Sequence, residues 1–166
     1  MKKAFVFFVL GGVLGAVAGG GGMLIAFPFI FPPPQVNETA ATGLPPLGET
    51  RFRDDSDGQD AGHWGRGAVK FYRDADGAVL AELQADFEVG PGPNFWLYLN
   101  GRAGVENEED FLADAERIKV HKIKSFSGSQ VYKLDAGEFA AARALTIWCE
   151  SFHQYIASAD LPEERT

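Results

Sequence analysis

The chain is poor in sulfur. Cys149 is its only cysteine, and beyond Met1 its only methionine is Met23. One thiol cannot close a disulfide within the chain, nor can it complete a Cys2His2 zinc site. Cys149 and His153 have the C-x3-H spacing of a blue-copper loop, but no methionine follows Met23 to act as the weak axial ligand. Basic residues are also scarce. Two of the 15 are Lys2 and Lys3, which leaves 13 against 23 acidic residues in the rest. That charge balance repels phosphate backbones and anionic headgroups and argues against nucleic-acid binding. Hydrolase motifs are missing too, with no nucleophile elbow and no zinc-binding helix.

Charge is absent altogether from residues 4–31, "AFVFFVLGGVLGAVAGGGGMLIAFPFIF". A hydrocarbon core of about 30 Å takes about 20 apolar residues as helix, and this run exceeds that. Lysines on one side only predict a cytoplasmic tail at 1–3, an anchor at 4–31 and translocation of everything after it. "AVA" at 16–18 also fits a signal-peptidase site. Cleavage there would leave the apolar stretch to Phe31 exposed, so segment length favours an uncleaved anchor. The expected location is the inner membrane of a bacterium, single-pass, with the C-terminal part periplasmic. Gly11, Gly15 and Gly19 recur every four residues, a spacing that lets a second membrane helix approach; glycine is also simply common in such helices.

Pro32, Pro33 and Pro34 stop the helix, and the proline-rich 32–51 reads as a semi-rigid spacer. "NET" at Asn37 matches a glycosylation sequon, which the short bacterial-type leader makes a chance match. From Phe52 the pattern becomes short runs with two-residue alternation. "AVKFYRDADGAVLAEL" predicts a hairpin turning at Asp76-Gly77. Further strands are expected at 94–100, 117–126, 130–135, 144–151 and 153–159, and a short helix within 106–117. The expected fold is all-β, an antiparallel sandwich or barrel of about 7–9 strands over 52–162, with a short tail at 163–166.

The acidic stretch 54–60 does not make a calcium loop. With Gly58 at the sixth position, Arg53 and Trp64 fall at the first and twelfth, where carboxylates are needed. The hairpin turn already accounts for Asp74, Asp76 and Gly77. Alternation in "ALTIWCESF" puts Leu145, Ile147 and Cys149 on one face and Thr146, Trp148 and Glu150 on the other. Apolar neighbours favour a buried, inert Cys149, because burial raises a thiol's pKa. Its position at the end of a strand favours an accessible thiol in an oxidising compartment. Both readings remain open on the residues alone.

Several pieces arrive in the order of one known family. They are "HWGRG" with His63 and Gly67, the Asp76-Gly77 hairpin, "ADFEVGPGPNFWLYLN", "FSGSQVYKL" with Gly128, Ser129, Gln130 and Tyr132, and "LTIWCESF" with "ASADL". From about Phe52 to Leu161 the chain resembles the DM-thirteen domain, also called the electron transfer DM family. The resemblance implies a β-sandwich-like extracytoplasmic domain that in larger proteins stands beside haem-binding modules. It implies a redox role for Cys149, with Trp148 adjacent, His63 tuning the thiolate, and Asn94, Gln130 and Tyr132 in support. Asn94 stands where the family has aspartate, so only a turn or hydrogen-bonding role carries over there. Neither haem nor copper is specified, a redox partner protein is expected, and a tethered binding or scaffold domain with a structural Cys149 is the alternative.

Overall fold

The structure, a computed structural model, describes residues 2–163, without the side chains of Leu24 and Ile25. Met1 and the expected tail beyond Glu163 lie outside the described residues. Helix α1, Lys2–Ile30, is long and apolar enough to cross a membrane, with none of its 2–23 window buried against protein. It carries Pro28 in its last turn and ends just before the three consecutive prolines, which supply no amide donor to continue it. Gly11, Gly15 and Gly19 face open space.

Among the described residues, nine strands follow in two antiparallel sheets. The first sheet runs β1 (Pro46–Phe52), β2 (Gly65–Arg73), β3 (Val79–Leu83) and β7 (Gln130–Leu134), with the two-residue β4 (Glu88–Val89) also on β2. The second runs β6 (Ile118–Lys122), β5 (Phe95–Asn100), β8 (Ala144–Cys149) and β9 (Gln154–Asp160). The sheets are joined along one side, where Arg53 N donates to Ser158 O at 2.9 Å. They do not close into a barrel. The hairpin forms as expected, with Gly77 at φ +86° and its N–H on Asp74 O.

The main core lies between the sheets and includes Phe71, Leu83, Phe87, Leu97, Leu145, Ile147 and Cys149. A second cluster lies on the outer face of the second sheet. Here helix α2 (Glu108–Ala113), capped by Asn107, lays Phe111 flat on Trp148 with ring centres 4.2 Å apart. Both faces of β8 are therefore buried, although its alternation alone suggests one covered face. Helix α3 (Ala136–Ala141) begins where Asp135 accepts from the amides of Gly137 and Glu138.

The proline-rich stretch does more than space the domain from the helix. Its end, 46–51, belongs to edge strand β1, and its middle docks on the free edge of β7. Glu38 N donates to Ser129 O, and Glu38 Oε2 accepts from Val131 N at 2.9 Å. An unpaired sheet edge leaves amides without partners, and this segment supplies them.

Candidate functional site

Cys149 ends β8 with only 1 % of its surface exposed, directly opposite Phe95 on β5 and Gln154 on β9. Two motifs far apart in sequence meet at its sulfur. The amide N–H groups of Phe152 and Ser151, from the turn after β8, point at Sγ, as does that of Asn94, from the Gly92-Pro93-Asn94 entry to β5. Burial pushes the thiol up from its ordinary 9.0; the three amides act against this, and Glu150's charge adds to it. Burial wins, so the sulfur is a neutral thiol at pH 7, with donors already aimed at any charge it gains.

Of the two readings that the residues left open, the fold provides the buried thiol and not the accessible one. Cys149 is at the rim, but the β8–β9 turn closes over it. Ser151, Phe152 and His153 are exposed while the sulfur beneath them is not. Opening that turn would remove the Ser151 and Phe152 amides and the Glu150 N–H bond to Asn94 O.

Asn94 does not need to be a carboxylate. Its Oδ1 accepts from Trp96 Nε1 at 3.0 Å, and an aspartate oxygen would serve equally. Trp148 is next to Cys149 in sequence but on the opposite face, within the aromatic cluster under α2. His63 is held elsewhere. Its Nδ1 lies 3.0 Å from both carboxylate oxygens of Asp60 in the β1–β2 loop, and it is not among the groups that shift Cys149. Asp60 in turn is held at about 2, first by the His63 side chain and then by the Gly62 and His63 amides.

Gln130 and Tyr132 form a separate, wholly buried hub. Gln130 Oε1 accepts from Lys124 N, Ser125 N and Tyr132 OH at 3.1, 3.2 and 2.6 Å, and Nε2 donates to Ser125 O at 2.9 Å. These bonds lock the 123–130 turn, so both residues brace the fold rather than join Cys149. The copper reading does not fit. Cys149's surroundings are amides and hydrocarbon, and among the described residues no three His, Cys, Asp or Glu side chains gather as metal ligands.

One group that sequence reasoning passed over is Tyr98, which donates to Glu150 Oε1 while Lys119 Nζ sits 2.8 Å from the same oxygen. Burial alone would raise Glu150, but Lys119 and Tyr98 outweigh it and hold the carboxyl below its ordinary 4.5. A depressed carboxyl stabilises the fold above its unfolded-state pKa and loses that contribution as pH falls through the folded value. The urea-midpoint difference between wild type and Glu150→Gln should therefore be largest near neutral pH and shrink below about pH 4. A difference that does not change with pH would show that the carboxylate charge contributes nothing.

A family profile described as electron transfer DM13 matches residues 55–161. No curated protein and no solved structure matches the chain. The matched span runs from the loop before β2 to the end of β9 and contains the whole Cys149 environment.

Proposed function

Because the chain belongs to the electron transfer DM13 family, we propose that it is a membrane-anchored periplasmic redox module whose working group is Cys149. In this reading α1 is the uncleaved anchor, with Gly11, Gly15 and Gly19 open to a neighbouring helix, and a redox partner protein meets the β8–β9 turn. The observation that carries it is the convergence of the Asn94, Ser151 and Phe152 amides on the chain's one thiol. A side chain that merely filled space would not require three donors. Reaction at the sulfur runs through opening of the β8–β9 turn, a segment of exposed residues with little to bury. His63 and Trp148 remain supporting residues only at a distance, through loop order and through the aromatic cluster.

A second reading has its own support. Cys149 is sealed in the main core with a raised pKa, as expected of a structural thiol in a tethered scaffold domain. Alkylation of the folded domain at increasing urea separates the two. The redox reading expects slow labelling whose rate is flat at low urea, the mark of a local opening. A rate that tracks global unfolding from the first addition of urea would leave Cys149 structural. Cys149→Ala should cost about 1–3 kcal/mol in either case. Only the redox reading expects the wild-type chain to yield mixed-disulfide or sulfenic-acid adducts from native membranes, with the folded Cys149→Ala variant as the blank.

A further inference from the structure

A cavity of about 540 Å³ lies where the end of α1 meets the β domain. Phe27 and Phe31 line it from the helix, and Phe95 and Phe126 from the sandwich, with Lys122 and Lys124 supplying the cations. Its volume falls within the range of small-molecule sites, and aromatic walls with a few polar groups are their usual composition. We propose that this cavity is a docking site for the ring of a membrane quinone, with the Lys122 ammonium donating to a ring carbonyl.

Three observations favour that occupant. The first is depth. A helix of 29 residues is roughly 43 Å long at 1.5 Å per residue, against a hydrocarbon core of about 30 Å. In a membrane-anchored chain with Lys2 and Lys3 at one surface, that length carries Phe27 and Phe31, and with them the cavity they line, to the level of the opposite headgroups. The second is the lining. Four phenyl rings and the stiff Pro28, Pro33 and Pro93 offer flat faces that suit a planar conjugated ring better than a flexible acyl chain. The charge count also disfavours a phosphate. Glu38 already neutralises Lys124 at 2.6 Å, whereas Lys122 has no ion-pair partner among the described residues, so one free cation remains.

The third observation is the neighbour. Phe95 lines the cavity and is the register partner of Cys149, and the Asn94 amide beside it points at the sulfur. A ring in the cavity is thus one layer of residues away from the thiol. This inference rests on the reading of the chain as a membrane-anchored electron-transfer module, and it assigns that module a lipid-soluble carrier class.

The test uses the full chain in phosphatidylcholine nanodiscs with a benzoquinone bearing a ten-carbon tail and a photoreactive azide. Saturable cross-linking to residues 91–96 and 122–126 is expected. Lys122→Glu should weaken it by about tenfold, the effect of losing one charge-assisted hydrogen bond. Phe126→Trp, which fills the cavity, should abolish it, and Cys149→Ala should leave it unchanged. If Phe126→Trp fails to fold, Lys122→Glu alone decides. Labels spread along α1 and unaffected by Lys122→Glu would overturn the proposal, as would full displacement by an equal amount of phosphatidylglycerol. A carbonate wash of native membranes checks the underlying reading separately. A chain that resists the wash but binds no quinone defeats only the cavity assignment, while a chain that washes off defeats the anchor.

Discussion

Gln130→Ala is expected to lower the unfolding free energy by about 3–5 kcal/mol, enough to leave a domain of ordinary stability marginal. Gln130 has no exposed surface, and its amide is the common partner of Lys124 N, Ser125 N, Tyr132 OH and Ser125 O. Truncation strands several of these groups in a dry interior. Each buried orphan costs about 1–3 kcal/mol, reduced where a partner survives, as Tyr132 OH does for Lys124 N at 3.0 Å. Gln130→Glu makes the contrast. It keeps the acceptor but loses the donor and sets a carboxylate against Ser125 O, so it should also destabilise, and more at neutral pH than in acid. Urea unfolding at constant m-value reads both. A loss below about 1 kcal/mol for Gln130→Ala would mean that water substitutes for the amide and that the hub is not a brace.

Gly67→Ala should be at least as costly, by a different mechanism. Gly67 has φ +118°, and it sits where β2 exchanges β4 for β3 as its neighbour. A Cβ here would stand 2.5 Å from Phe87 Cα and 2.8 Å from Phe87 N. Those are backbone atoms, which cannot swing aside as a side chain would. Strain in φ and overpacking together come to about 3–5 kcal/mol. Gly77→Ala is the internal control. Its φ is +86°, but nothing lies within 4 Å of the added carbon, so only the backbone strain of about 1 kcal/mol is expected. Equal losses at the two positions would show that the contact with Phe87 relaxes and that the partner switch in β2 is not rigid.

Both predictions concern residues that the fold uses as supports; the sequence associated Gln130 with a site and Gly67 only with a family motif. Gln130 and Tyr132 read as companions of Cys149 because the motifs follow one another along the chain. In space the hub braces the turn after β6, whereas the Cys149 environment is built from the β8–β9 turn and the entry to β5. Asn94 was the informative member. Its side chain accepts from Trp96 Nε1, and its backbone amide is one of the three on Cys149. His63 shows the opposite case. No local pattern reveals that an imidazole will be taken by an aspartate three residues earlier, when the alternative partner is 86 positions away.

Sequence alone determined the membrane-length helix, the strand alternation, the glycine turn of the hairpin, the inward face shared by Leu145, Ile147 and Cys149, and the family. Each of these follows from a short-range regularity: an uncharged run, a two-residue period, a φ that only glycine accepts, an ordered set of motifs. The tertiary structure decided that the proline-rich stretch covers the edge of β7, that α2 buries the second face of β8, and that three amides and a turn enclose the thiol. Those depend on which strands pair and what packs over them. Such contacts join residues tens of positions apart, and no local pattern encodes the pairing that brings them together.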